Sequence, residues 1–135
     1  MNLTDVTPNL VVADIDRSTA FYRDVLGFSV ITTVPEAAPF VFVWLQRGGV
    51  NVFLNVQHAV AHDMPALAGR PIGGTATMFM TVEPGGPDDG IDALFAQVER
   101  GARVAMPIKD QFYGMREFGI EDPDGYVIFF AQRIA

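Results

Sequence analysis

The chain has 135 residues, of which half are hydrophobic and 19% are charged, so it can bury a core of ordinary size and is not disordered throughout. It contains no cysteine, which excludes disulfides, thiolate metal sites and cysteine nucleophiles and fits a cytoplasmic protein. The formal net charge of -7 repels phosphate backbones and anionic lipid, so we expect no nucleic acid and no membrane as partners, whereas a cationic small molecule would be attracted.

The first predicted elements are a strand and an amphipathic helix. The opening segment, MNLTDVTPNL, is acidic and lacks the basic and apolar regions of a signal peptide. Leu10 and Val12 have the period-two spacing of a strand. In residues 16–26 apolar side chains recur at helical spacing, and Gly27 stands where a glycine commonly ends a helix. We therefore predict a helix over residues 16–26.

Two further strands and a long loop complete the first half. Apolar residues alternate over residues 41–45 and again over residues 50–56, which predicts strands. The segment RGG at residues 47–49 predicts the turn between them. Residues 58–74 are rich in Ala, Gly and Pro, so we predict a loop that links two halves of the chain.

The second half shows the same order of elements. Residues 78–82 have strand periodicity, and residues 88–100 carry an apolar stripe at helical spacing. We expect Asp88 or Asp89 to be the N-cap of this helix and Gly101 to end it. The segment DPDG at residues 122–125 predicts a turn before a strongly apolar last strand.

The two halves form an internal repeat. A polar residue followed by two apolar residues in strand phase recurs about 70–75 residues later, as Thr7, Leu10 and Val12 and then as Thr77, Met80 and Val82. We therefore predict a single domain built from two βαβββ modules. Module one covers about residues 1–57, the linker about 58–74, and module two about 75–135.

Two longer segments resemble a known family. TPNLVVADIDRSTAFYRDVLGF at residues 7–28 is similar to the opening module of vicinal oxygen chelate proteins, the glyoxalase/bleomycin resistance protein/dioxygenase superfamily. FGIEDPDGYVIFFAQ at residues 118–132 is similar to their closing hairpin. The resemblance implies an α+β fold in which two tandem βαβββ modules form curved mixed sheets around a crevice, with the helices outside. It identifies a fold rather than a reaction.

The resemblance also raises the question of a metal. Enzymes of this superfamily typically hold a divalent metal with His, Glu or Gln side chains on the crevice strands. The matching positions here are Thr7, Thr77, Phe129, and either Asn51 or Phe53. None of these side chains is a good ligand for a transition metal. We therefore expect no metal and no cofactor, as in the bleomycin-resistance branch of the family.

The only two histidines need a separate interpretation. His58 and His62 have the His-x-x-x-His spacing that can bind zinc on a helix, and Asp63 could add a third ligand. The segment leads into the predicted loop, lies outside the family's metal positions and lacks the catalytic glutamate of HExxH. We favour a structural or solvent-exposed role and keep a metal site as the alternative.

Strand parity predicts which side chains face the crevice. Near QFYGMREF, we prefer the set Tyr113, Met115 and Glu117 over the alternates Arg116 and Phe118. The predicted ligand-binding residues are aromatic, amide or polar, with one carboxylate: Asn9, Phe40, Phe42, Trp44, Asn51, Phe53, Asn55, Phe79, Tyr113, Met115, Glu117 and Phe129. Such a surface stacks flat aromatic or cationic molecules and orients them with a few hydrogen bonds.

The preferred interpretation is therefore a homodimeric, cytoplasmic protein that binds and sequesters a small aromatic or cationic, antibiotic-like molecule. One alternative is an enzyme, either metal-dependent through ligands at other positions or metal-free with Glu117 or Tyr113 as the acid–base group. Another is an interaction domain whose crevice is filled by its own side chains.

Overall fold

The first half of the chain folds around a four-stranded sheet. The structure, a computed structural model that describes residues 1–135, has five main elements here: β1 (Asn9–Val12), α1 (Ile15–Ala20), β2 (Ser29–Val34), β3 (Phe42–Arg47) and β4 (Val50–Val56). The strand order is β1-β4-β3-β2. β1 runs parallel to β4, whereas the other neighbours are antiparallel. The unit is therefore the predicted βαβββ module.

The predicted first helix is confirmed, with a change of helix type inside it. The Asp14 carboxylate caps α1 by accepting a hydrogen bond from the Arg17 backbone N–H at 3.0 Å. After α1 the chain continues as a π-helical segment, Phe21–Val25. Gly27 then adopts a φ of 74°, in the left-handed region that favours glycine. Helical periodicity does not distinguish a π-helical turn from an α-helical one, so the sequence predicted only the span.

The predicted loop after β4 is partly wrong. The chain forms α2 (Gln57–Asp63) and then a short 3₁₀ helix (Pro65–Leu67). Ala-rich sequence favours helix, and a single buried apolar residue, Val60, anchors α2. One apolar anchor is too little to produce a recognisable 3.6-residue pattern, which is why composition alone indicated a loop.

The second half builds a second sheet of the same topology. Its elements are β5 (Thr77–Thr81), α3 (Ile91–Val98), β6 (Arg103–Asp110), β7 (Met115–Glu121) and β8 (Val127–Arg133). The order is β5-β8-β7-β6, with β5 parallel to β8. The chain divides into two compact units, Met1–Ile72 and Gly73–Ala135. None of the helices is long and apolar enough to cross a membrane.

The second helix begins later than predicted, and its cap is different. α3 starts at Ile91 after Gly90, so neither Asp88 nor Asp89 is its N-cap. Instead, the Gln132 side-chain oxygen of β8 accepts a hydrogen bond from the Ile91 N–H at 2.8 Å. This oxygen lies 41 residues away in the sequence, yet it accepts from a backbone N–H at the helix start that would otherwise need a local capping residue. Local cap rules cannot find such a partner.

Each sheet buries one apolar side, and in the second sheet Glu117 and Ala131 on the opposite side are buried as well. In the second unit the side facing α3 carries fully buried apolar residues, and the Phe95 ring of α3 packs on Phe118 with centroids 5.0 Å apart. The predicted DPDG turn is present because the Asp122 carboxylate accepts hydrogen bonds from the N–H groups of Asp124 and Tyr126, both at 2.9 Å. The strands β2 and β6 lie at the sheet edges, where mixed exposure hides the alternation that marks inner strands.

Candidate ligand-binding faces

The side of the first sheet opposite its buried residues is aromatic and amide-bearing. β3 and β4 alternate strictly: Val43, Leu45, Val52 and Leu54 are fully buried, and the residues between them are partly exposed. We call this surface the amide–aromatic face, and it consists of Asn9, Phe42, Trp44, Gln46, Asn51, Phe53 and Asn55. Of these, only Gln46 was not predicted. Its place on the same parity as Trp44 was the available signal.

Three aromatic rings form the centre of the amide–aromatic face. Trp44 lies opposite Phe53 in the β3–β4 register. Their centroids are 5.9 Å apart with planes at 85°. Phe42 contacts the same Phe53 ring at 5.2 Å. Edge-to-face and tilted contacts of this kind leave ring surface free for a further aromatic group. Phe40 precedes β3 and has no ring contact with this cluster.

Hydrogen bonds fix the amide groups around these rings. The Asn51 side-chain oxygen accepts from the Trp44 indole N–H at 2.8 Å and from the Gln46 amide at 3.0 Å. The Asn55 amide donates to the Asn9 side-chain oxygen at 2.6 Å and to the Leu10 carbonyl at 3.2 Å. The indole ring is thereby held in one orientation before any ligand binds. Such preorganisation lowers the entropic cost of binding.

The corresponding side of the second sheet has a different composition. We call it the carboxylate face, and it contains Phe79, Lys109, Met115, Glu117, Gly119 and Phe129. Phe79, Phe129 and Gly119 lie side by side in register across β5, β8 and β7. The Phe129 ring lies directly over Gly119, where an added Cβ would stand 2.9 Å from the Phe129 Cε1 atom. Gly119 therefore makes room for this ring.

Glu117 is the charged group at the centre of the carboxylate face. It is only 4% exposed, and the Tyr113 hydroxyl donates a hydrogen bond of 2.5 Å to its Oε2 atom. This hydrogen bond is the main reason that the pKa of Tyr113 is raised, with burial and the carboxylate charge adding to it. Lys109 lies opposite Glu117 in the β6–β7 register but forms no ion pair with it. The carboxylate thus has one neutral donor and no cation.

Arg116 and Phe118, the alternates to the predicted set Tyr113, Met115 and Glu117, do not lie on the carboxylate face. Phe118 is fully buried in the core. The Arg116 guanidinium binds Asp92 at 2.9 Å and Asp110 at 2.7 Å, and the hydrogen bonds to Asp110 and Asp92 raise its pKa. Arg116 also lines a surface cavity of about 660 Å³ next to the start of α3. Sequence reasoning missed this cavity, and none of the predicted ligand-binding residues lines it.

The positions matched to the family's metal ligands do not fit a metal. Phe53 and Phe129 are counterparts in the two sheets. Phe53 lies between Asn9 and Trp44 on the neighbouring strands, and Phe129 lies between Phe79 and Gly119. Neither phenyl ring can coordinate. The Asn51 oxygen already accepts two hydrogen bonds, and Thr77 offers only a hydroxyl, a weak ligand. No group of three His, Cys, Asp or Glu side chains converges in the structure.

Comparisons with known proteins give a consistent result. Residues 6–130 match the model of the Glyoxalase/Bleomycin resistance protein/Dioxygenase superfamily. A bleomycin resistance protein of Geobacillus stearothermophilus is 30% identical, over 94% of this chain and 95% of that protein. Among solved structures, a protein of unknown function from Agrobacterium tumefaciens has a TM-score of 0.75 at 23% identity, covering 99% of this chain and 97% of that one.

A second solved structure shares the fold. It is a glyoxalase/bleomycin resistance protein/dioxygenase family enzyme from Burkholderia phytofirmans, with a TM-score of 0.74 at 21% identity. The match covers 93% of this chain and 95% of that one. At this identity the likeness concerns the fold only.

Proposed function

Because the chain belongs to the Glyoxalase/Bleomycin resistance protein/Dioxygenase superfamily, we propose that it binds and sequesters an aromatic or cationic, antibiotic-like small molecule without a metal and without chemical turnover. The observation that carries the proposal is the amide–aromatic face, where three rings are held among hydrogen-bonded amides and no charged side chain intervenes. The bleomycin resistance protein that is 30% identical supports an antibiotic as the class of ligand.

The amide–aromatic face suits a flat ring system. A planar ligand that stacks on Trp44 and Phe53 gains about 0.5–1.5 kcal/mol per aromatic pair beyond the area it buries. Asn51 has the same strand parity as Phe53, so its amide N–H groups supply directional donors on this face. On the other unit, Glu117 is a nearly buried carboxylate without a cation. Considered by itself, the carboxylate face favours a cationic group, which would offset the desolvation cost of this carboxylate.

The experiment is a titration with metal-free bleomycin in the presence of a chelator, with binding measured by calorimetry and the ligand recovered for analysis. We expect saturable binding, an altered emission of Trp44 (the single tryptophan) and unchanged ligand. Trp44→Ala should weaken binding about three- to tenfold per lost ring pair, and Trp44→Phe should lose less. Leu3→Ala is the control, since Leu3 is 99% exposed and lies outside both faces.

The outcomes separate the alternatives. Equal affinity of wild type and Trp44→Ala would remove the amide–aromatic face from the proposal. Binding that disappears with the chelator would contradict metal independence. A chemically altered ligand would favour an enzyme. Absence of binding by bleomycin and by a panel of flat cationic dyes would leave no support for sequestration.

A metal-free enzyme is the second candidate, and the Glu117–Tyr113 hydrogen bond favours it. A carboxylate within 2.5 Å of a phenol is a pair through which a proton can move. In that case Glu117→Gln would abolish turnover while ligand binding persisted. For a pure binder the same variant would change affinity only. The homodimer and the cytoplasmic location stay predictions.

A further inference from the structure

The segment that contains both histidines is a helix and not the loop that its composition predicted. α2 spans Gln57–Asp63. Val60 is 3% exposed and holds one side of the helix against the protein, and the Met64 N–H donates to the Val60 carbonyl at 2.7 Å. His58 and His62 lie on the exposed side. The expected loop was one reason against a metal site there, and the helix removes that reason. The other two reasons, the place outside the family's metal positions and the missing glutamate of HExxH, concern the family's own metal and a protease-type site.

Helical geometry brings the two imidazoles together. Residues four apart are separated by about 40° of rotation and about 6 Å of rise, so their side chains are neighbours on one face. Because Val60 is buried, this face points to solvent, where the rings are free to turn toward a common ion. The same spacing in an extended loop would give no such convergence.

Nothing in the protein competes for the two rings. Neither the His58 nor the His62 side chain forms a hydrogen bond, an ion pair or a ring contact. The neutral imidazole is the most common protein ligand for zinc, copper and nickel. No third His, Asp or Glu completes a group around them, so an ion held here would keep further coordination positions open.

We propose that His58 and His62 form a two-histidine site for a late first-row divalent cation, with water or the donor atoms of a small molecule filling the other positions. Cu²⁺ should bind more tightly than Ni²⁺ or Zn²⁺, in the usual order for nitrogen ligands. The site lies outside both candidate ligand-binding faces and does not depend on the function proposed for them. Because the ion bridges successive turns, its binding also stabilises α2.

The experiment uses tag-free full-length protein and Cu²⁺ alone, in a buffer that does not chelate. We expect one Cu²⁺ per chain by calorimetry, a chelator-reversible rise of the Tm, and weakening of at least about tenfold in His58→Ala and in His62→Ala, because each removes the tethered second ligand. Since these are the only two histidines, each variant leaves a single imidazole as its own reference.

A spacing control separates a built site from the mere presence of two histidines. Gln57→His combined with His58→Ala keeps two histidines and the net charge, but places them five residues apart, about 140° around the helix. We expect this variant to bind Cu²⁺ as weakly as the single-histidine variants, with unchanged circular dichroism. Wild-type affinity in the spacing control, or equal affinity of wild type and His62→Ala, would overturn the site.

Discussion

The two sheets have the same topology and register but present different chemistry on corresponding rows. The central row of the first sheet is Asn9, Phe53 and Trp44, and that of the second is Phe79, Phe129 and Gly119. A phenylalanine is central in both. In the first sheet it meets an indole edge-on, and in the second it covers a glycine. The two modules therefore share the central ring and differ in what lies beside it.

The next row shows the difference in charge. In the first sheet Val11, Asn55 and Phe42 carry no charge, whereas in the second Thr81, Ala131 and Glu117 include a nearly buried carboxylate. The buried sides of both sheets are apolar, but that of the first is aliphatic, whereas that of the second also carries Phe118 and Phe130. Both sheets therefore bury apolar residues on one side, and they differ most in charge on the other side.

The largest expected effect on stability comes from replacing neighbouring residues that lie on opposite sides of one strand. Leu54 and Phe53 are neighbours in β4, but Leu54 is fully buried and Phe53 is not. Leu54→Ala should reduce the free energy of unfolding by about 2–5 kcal/mol, and Phe53→Ala by about 1 kcal/mol. Urea denaturation measures both.

The same two variants test whether Leu54 serves packing while Phe53 serves ligand binding. Phe53→Ala should weaken binding of metal-free bleomycin, whereas Leu54→Ala should leave the affinity of the folded fraction nearly unchanged. If Phe53→Ala proves as destabilising as Leu54→Ala, the amide–aromatic face is part of the core. The comparison between the sheets would then concern packing rather than recognition.

Period-two patterns were sufficient to assign the sides of the inner strands β3 and β4, because burial alternates along Phe42–Gln46 and Asn51–Val56. They assigned Val43 and Trp44 to opposite sides of β3. They failed where the determining partner is distant in sequence. Gln132 caps α3 from another strand, and the fit of Phe129 over Gly119 depends on register. The predicted ligand-binding residues stay predictions, because a fold-level pattern does not identify a ligand.

An intermediate effect is expected at Gly119. In a strand, Gly→Ala alone should stabilise by roughly 0.5–1 kcal/mol, but a Cβ at residue 119 would stand 2.9 Å from the Phe129 ring. The ring must then move, at a cost of about 1 kcal/mol or more. We expect Gly119→Ala to be neutral or destabilising in the wild-type background and stabilising in Phe129→Ala, as measured by chemical denaturation.

That double-mutant cycle isolates the contact between ring and backbone. Gly49→Ala is the control, because a Cβ there meets nothing within 4 Å, and its effect should be within about 0.5 kcal/mol. Additive effects of Gly119→Ala and Phe129→Ala would mean that the ring does not rest on Gly119 in solution. The contrast between the central rows of the two sheets would then be lost.

The smallest effect concerns the charge that distinguishes the second sheet. The hydrogen bond to Glu117 raises the pKa of Tyr113 above its ordinary value, so the folded state favours the neutral phenol. The resulting stabilisation is fully present below the ordinary tyrosine pKa of about 10 and is lost as the pH rises through the higher folded-state pKa. Alkaline ultraviolet titration of the wild type should therefore include a late phenol ionisation that belongs to Tyr113.

Two variants assign that late ionisation to the hydrogen-bonded pair. Glu117→Gln should bring it back toward its ordinary pH, and Tyr113→Phe identifies the transition by removing it. If Glu117→Gln leaves the titration unchanged, the carboxylate does not hold the phenol in solution. The raised pKa of Tyr113 would then need a cause other than its hydrogen bond to Glu117.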